Sequence, residues 1–274
     1  MPTAATDQQR DLALAMRIAD AADRVALPRF RARDLRVSAK PDSTPVTDAD
    51  RDAEAAMLAL LADECPGDAI LAEESGHSPG HGSRQWILDP IDGTRQFLRG
   101  VPVWASLVAL RDGGALRVAV VSAPALGRRW WASAGAGAFA REGEAGPRRL
   151  AVSGVAAIED AYLAHAEPAA WLAHGGRDAV ERFTALALRC WQARGFGDFW
   201  AHMLVAEGAA DVAVEPGPAL WDLAAPALIV AEAGGRFSAL DGDPDPGRGS
   251  GVSSNGALHE AVLAALAPPQ GAAR

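Results

Sequence analysis

The segment Trp86-Ile87-Leu88-Asp89-Pro90-Ile91-Asp92-Gly93-Thr94 ends an apolar run in two carboxylates three residues apart, with a proline between them. Pro90 in the second place of a four-residue turn has the φ of a type I turn, which brings its first and fourth Cα atoms within about 7 Å. Asp89 and Asp92 are therefore expected to aim at one place. Gly93 and Thr94 follow at a predicted helix start, where free backbone N–H groups favour an anion. Two carboxylates beside an anion cradle make a metal-plus-phosphate arrangement; an Asp-Pro turn leading into a capped helix has the same letters. Further acids stand at Glu73 and Glu74 after Ile70-Leu71-Ala72, at Asp48 and Asp50 after Pro45-Val46-Thr47, and at Asp222 in Trp221-Asp222-Leu223-Ala224-Ala225. Asp50 and Asp222 each precede an apolar helical pattern and, taken alone, read as helix caps before they read as ligands. Lys40 is the only lysine in a chain that writes arginine everywhere else, and a compact ammonium does what a planar guanidinium cannot.

These residues need elements to hold them. Apolar residues recurring at three and four predict helices over residues 7–30, where Leu12, Met16 and Ala19 share a face, and over 49–63. Short strands are predicted at 86–88, 103–110, 116–122, 129–133 and 149–153, with Arg111-Asp112-Gly113-Gly114 as a hairpin turn. After about residue 155 the pattern alternates: strands at 162–165, 190–193, 211–215 and 236–239, and helices over 177–188, from Phe199, and over 221–233. An antiparallel first half followed by a second sheet with packed helices predicts an α+β sandwich rather than a doubly wound parallel sheet.

Composition bounds the function. The 274 residues are 49% apolar and 22% charged, as in a globular protein that stays in water. The net charge of −9 has the wrong sign for holding nucleic acid by its backbone. No apolar run approaches the ~20 residues of a membrane helix, and the N-terminal stretch lacks the pattern of an export signal. Cys65 and Cys190 are expected as free thiols in a reducing cytoplasm. His77 and His81 stand four apart, but Pro79 and Gly80 break any helix between them, so a mobile loop is expected rather than a metal pair. His202, one helical turn after Asp198, is either a core imidazole or a group reaching the pocket, and Trp130 and Trp131 are expected on opposite faces of a strand.

Taken together, Lys40-Pro41-Asp42, Pro45-Val46-Thr47-Asp48-Ala49-Asp50, Ala72-Glu73-Glu74-Ser75, the Asp89 to Thr94 signature, and Trp221-Asp222-Leu223-Ala224-Ala225 with Glu232-Ala233-Gly234-Gly235 resemble the inositol monophosphatase family of magnesium-dependent phosphatases, over residues 38–256. The resemblance implies a five-layer αβαβα sandwich of the inositol monophosphatase and fructose-1,6-bisphosphatase type, usually a homodimer. In it, residues 1–155 would carry the metal and phosphate loops, and residues 156–274 would complete the site against the substrate alcohol. Within the family, residues 121–131 (VSAPALGRRWW) and 195–208 resemble the bacterial histidinol-phosphatases.

The chemistry follows from charge. Two like charges 4 Å apart cost roughly 4 kcal/mol at an effective dielectric of 20, so a phosphate dianion cannot enter a nest of carboxylates unless cations reverse the sign. All-oxygen ligands point to Mg²⁺, with Mn²⁺ as the substitute. Carried over from the family, Glu73, Asp89 and the Ile91 carbonyl would hold one ion, Asp89, Asp92 and Asp222 a second, and a third would lie near Glu73. Asp50 and Thr94 would orient the attacking water, the Gly93 and Thr94 amides would receive the phosphate, and Lys40 would add fixed positive charge. Asp198, with Gly197 before it, and Glu215 would face the alcohol, where an added carboxylate suits a cationic group such as the ammonium of histidinol. From the residues alone, Asp198 also reads as a helix cap and Glu215 as a solvated strand end. Lithium inhibition is expected by the same resemblance. The rivals are a phosphatase of the same family acting on inositol, fructose bisphosphate or nucleotide esters, and a non-catalytic metal-binding module. A haloacid-dehalogenase site would need its acids two residues apart.

Overall fold

The computed structural model describes residues 4–40 and 44–268; Pro41 and Asp42 of the lysine motif lie outside them. Helix α1 (Ala4–Arg29) buries Leu14, Ala15, Ile18, Ala19, Ala22 and Ala26, the three-and-four spacing of one helical stripe. Strands β1 (Val37–Ala39) and β2 (Pro45–Thr47) form an antiparallel pair that delivers Thr47 to the start of α2 (Asp48–Glu64). There the Thr47 hydroxyl accepts from the Ala49 and Asp50 amides while the Thr47 amide donates to Asp50, a reciprocal capping box.

The chain then lays down β3 (Ala69–Ala72), β4 (Gly76–Ser78) and β5 (Arg84–Asp92), a short helix α3 (Thr94–Arg99), and the antiparallel run β6 (Ala105–Asp112), β7 (Ala115–Ala123), β8 (Arg128–Ser133), β9 (Gly137–Glu142) and β10 (Arg148–Arg149). These strands make one sheet in the order β10-β9-β8-β7-β6-β5-β3-β4, antiparallel except where β3 runs parallel to β5. The second half contributes β11 (Tyr162–His165), α4 (Pro168–Arg189), β12 (Gln192–Gly195), α5 (Asp198–Ala206), β13 (Val212–Pro216), α6 (Leu220–Glu232), β14 (Arg236–Ser238), β15 (Ser250–Ser254) and α7 (His259–Leu266). Its sheet has the order β12-β11-β13-β15-β14.

The period-two alternation of the strands sorts the layers. Trp86, Leu88, Val108, Leu110, Val118 and Val120 pack with α1 and α2, whereas Ile87, Leu107, Ala109, Val121 and Trp130 face α5 and α6. Ala164 and Ala213 of the second sheet close on the same central pair of helices, while Leu163, Val212, Val214 and Val252 turn outward onto α4 and α7. The result is the five-layer αβαβα sandwich. The tryptophan pair divides as alternation demands: Trp130 is buried against Phe199 and Trp200, and Trp131 stacks on Phe139.

Three local expectations change. Asp89-Pro90-Ile91-Asp92 is not a type I turn beyond the strand: β5 continues through it, with a register shift against β6 between Asp89 and Asp92. Proline lacks the N–H that a regular ladder needs there, and the Pro90 carbonyl instead accepts from the Ser106 hydroxyl at 2.8 Å. The strand predicted over 149–153 shrinks to Arg148–Arg149, because the chain leaves the sheet and Val152 N donates to the carbonyl of Ala233 beyond α6. The helix predicted over 177–188 starts earlier, at Pro168, and is broken by non-helical backbone at Gly175 and Gly176.

Candidate active site

One oxygen of each of three aspartates is fixed by backbone. Asp89 Oδ1 accepts from Ile91 N at 2.9 Å, two residues on. Asp92 Oδ2 accepts from Phe199 N at 2.6 Å and so caps the first turn of α5 from the other half of the chain. Asp222, in the first turn of α6, accepts from Ala219 N at 2.7 Å. The bulge in β5 and the starts of α5 and α6 thus converge, and one carboxylate oxygen from each of Asp89, Asp92 and Asp222 falls within 4.8 Å of the others.

Burial and mutual repulsion set their protonation. Asp89 and Asp92 are buried, and both carboxyls are pushed well above the usual carboxylate range. Desolvation is the larger cause; then come the charges of Glu73, Asp92 and Asp222 on Asp89, and of Asp198 and Asp222 on Asp92. Asp222 is raised to about 7, by burial first and by the charges of Glu73 and Glu215. Such a cluster either holds protons or holds a cation. Its donors are all oxygen, which fits Mg²⁺ and not zinc.

Glu73 stands beside the trio at the end of β3. Its Oε1 takes Lys40 Nζ at 2.7 Å, and its buried Oε2 has no hydrogen-bond partner among the described residues, a further free oxygen donor. Lys40 Nζ lies at 2.7 Å from Glu74 as well. Burial alone would lower the Lys40 pKa, but its hydrogen bonds and ion pairs with Glu73 and Glu74 outweigh that and raise it, so the ammonium is committed to these two carboxylates. The backbone of this corner is held by Glu54, a residue the sequence reading missed. Its buried carboxylate accepts from Glu74 N at 2.7 Å and Ser75 N at 2.8 Å. The available signal was an acid one turn beyond Asp50 on the apolar face of a helix.

Asp50 stands at the third position of α2, where Thr47 is the cap, and its two oxygens face different ways. Oδ2 belongs to the capping box, with Thr47 Oγ1 at 2.5 Å, while Oδ1 faces Thr94 Oγ1 at 3.3 Å. Thr94 Oγ1 also lies 3.2 Å from the Ile91 carbonyl. Gly93 precedes it at φ 85°, and a Cβ there would meet the Val103 carbonyl at 3.1 Å, so both conformation and space require glycine. Below, Phe97 packs on Trp104 and Phe30 with ring centroids 5.0 and 5.6 Å away, anchoring α3. Lys40, Glu73, Gly93, Thr94, Asp198 and Asp222 line a cleft of about 580 Å³. It adjoins a second of about 1080 Å³ that Asp92, Gly197, Asp198, Glu215 and Asp222 also line.

Asp198 is no helix cap, since Asp92 takes that place. Held at φ 50° after Gly197, it receives the Gln96 side-chain amide, and its carboxyl is raised to about 7 by burial and by the charge of Glu215. Glu215, on β13, is no solvated strand end: only 14% of its side chain is exposed, and Oε2 lies 3.2 Å from His202 Nε2. His77 and His81 remain exposed and outside this site, with His77 in the edge strand β4 rather than in a loop.

The histidinol-phosphatase of Mycobacterium tuberculosis is 52% identical over 256 residues, covering 93% of this chain and 97% of that protein. The histidinol-phosphatase of Streptomyces coelicolor is 47% identical, with 95% and 98% covered. The crystal structure of the extragenic suppressor protein SuhB from Bartonella henselae superposes with a TM-score of 0.85 at 28% identity, covering 96% of this chain and 99% of that one. The family profile described as "Inositol monophosphatase family" matches residues 7–269. With its acids converging at the bulge of β5 and the starts of α5 and α6, this chain belongs to the inositol monophosphatase family.

Proposed function

We propose that the chain is a magnesium-dependent phosphomonoesterase acting on histidinol phosphate, releasing histidinol and phosphate in histidine biosynthesis in the cytoplasm. One observation carries the substrate assignment: two carboxylates, Asp198 and Glu215, share the cleft wall beyond the metal-binding acids, where their mutual repulsion calls for a cation. The ammonium of histidinol is such a cation; inositol has none. The names of the relatives at 52% and 47% identity support the same substrate.

Glu73, Asp89, the Ile91 carbonyl, Asp92 and Asp222 would hold two to three Mg²⁺ ions, or Mn²⁺, whose chemistry when bound is to neutralise the phosphate and activate water. The chain's own groups do the rest. Thr94 Oγ1, between Asp50 Oδ1 and the Ile91 carbonyl, orients the water and hands its proton to Asp50. Burial raises the Asp50 carboxyl, which makes it a stronger base than an exposed aspartate. The Gly93 and Thr94 amides receive the phosphate. Lys40 keeps Glu73 and Glu74 from repelling the ester. Residues 1–155 contribute the acids of β3 and β5, and residues 156–274 contribute Asp198, Glu215 and Asp222. Exposed Trp191 and Leu188, beside the edge strand β12, suit a homodimer contact. No helix among the described residues is long and apolar enough to cross a membrane. Lithium is expected to inhibit.

The test is specific activity with Mg²⁺ on histidinol phosphate against inositol 1-phosphate. A preference of about tenfold or more is expected from one well-placed ion pair; equal or reversed preference overturns the substrate assignment.

A further inference from the structure

His202 has no place in the chemistry above, yet it is fully buried and both ring nitrogens are engaged. Nδ1 lies 2.7 Å from Ser253 Oγ, and Nε2 lies 3.2 Å from Glu215 Oε2. We infer that His202 is a positioning residue, which with Ser253 fixes the Glu215 carboxylate toward the cationic end of the substrate; this rests on the histidinol phosphate reading.

The sheet register builds the chain of contacts. In the antiparallel pair β13–β15, Ala213 stands opposite Ser253 and Glu215 opposite Gly251, so Ser253 and Glu215 share the face against which α5 packs. Gly251 makes room chiefly for Leu223, since a Cβ there would come within 2.8 Å of Leu223 Cδ2 and 3.3 Å of Phe237 Cε2, and it would touch His202 Cε1 at 3.4 Å. An ionised carboxylate only accepts hydrogen bonds, so Nε2 carries the proton toward Glu215 and Nδ1 accepts from the Ser253 hydroxyl. One ring N–H and one ring acceptor satisfy both contacts. A carboxylate with one oxygen tied to a rigid, buried ring presents the other in a fixed direction. A flexible Glu side chain without that tie would lose rotamer freedom each time it met a substrate.

The experiment measures kcat and KM for histidinol phosphate and for the neutral-alcohol ester glycerol 2-phosphate, with saturating Mg²⁺, for wild type, His202→Leu, His202→Gln, Glu215→Gln and the Leu–Gln double variant. The His202→Leu variant is expected to lower the ratio of the two kcat/KM values about tenfold, through KM for histidinol phosphate, the loss of one hydrogen bond to a charged group. The His202→Gln variant, whose amide reaches the place of Nε2, is expected to restore the ratio, and Leu is expected to add nothing to Glu215→Gln. Should the Leu variant not fold, His202→Asn carries the same expectation, because its amide reaches Ser253 but not Glu215. A wild-type ratio in the Leu or Asn variant, or multiplicative losses in the double variant, overturns the positioning role while a selective loss in Glu215→Gln leaves the substrate reading standing. A wild type without preference for histidinol phosphate overturns both.

Discussion

Replacing Asp222 with asparagine tests the idea that the clustered acids are held apart from their ordinary ionisation. The Asp222 carboxyl is raised from 3.8 to about 7 by burial and neighbouring charge. The folded chain therefore binds that proton more tightly than the unfolded chain does. Native stability from this group is fully present below about 3.8 and is lost as pH rises through about 7, with the whole penalty in force above that. Three pK units correspond to about 4 kcal/mol. Removing this one charge leaves the repulsion among the remaining acids in place, so about half is relieved, about 2 kcal/mol. Asparagine keeps an oxygen for the Ala219 amide, so the start of α6 survives. Thermal unfolding of the chelator-treated protein at pH 8 should show the Asp222→Asn variant melting about 4–8 °C above wild type. At pH 3 the two should nearly coincide, because the unfolded aspartate is then largely protonated as well. Added Mg²⁺ should stabilise wild type strongly and the variant weakly, and turnover should fall by about 10³ or more. A metal-free variant less stable than wild type at pH 8, or one that keeps magnesium-dependent turnover, refutes the reasoning.

The Asp92→Asn variant should likewise lose turnover by about 10³ or more with an unchanged far-UV circular dichroism spectrum, since its amide oxygen still accepts from Phe199 N; undiminished activity removes Asp92 from the metal-binding set. The Glu54→Ala variant deletes the acceptor for the Glu74 and Ser75 amides and should weaken apparent Mg²⁺ affinity about 10- to 100-fold in a titration of activity. A wild-type titration would show that the corner carrying Glu73 holds itself. The Trp130→Ala variant empties the space between the larger sheet and α5 and removes the indole N–H from Glu207, which Arg128 still holds at 2.6 Å; urea unfolding should record a loss of about 3–5 kcal/mol.

Much of this was legible along the chain because it is local. Three-and-four spacing marked α1 and α2, and period-two alternation separated Trp130 from Trp131, since those patterns follow from the geometry of one segment. The Asp-Pro-Ile-Asp-Gly-Thr letters, with Glu73, Asp50 and Asp222 at their spacings, marked the acids and the family, because the residue types alone limit what a metal or phosphate site can be. What tertiary structure decided lies across long separations. Asp92 caps a helix 107 residues away, which frees Asp198 from capping, and no property of either segment alone requires it. Glu54 became the brace of the Glu73 corner only when the turn after β3 was brought to α2. The ammonium of Lys40 was drawn to Glu73 and Glu74, and His202 to Glu215, because side chains taken out of water must find partners among whatever packing brings within reach. Residue types thus set which chemistry was possible, while burial and long-range pairing determined which oxygen is tied, which remains free, and how tightly each acid holds its proton.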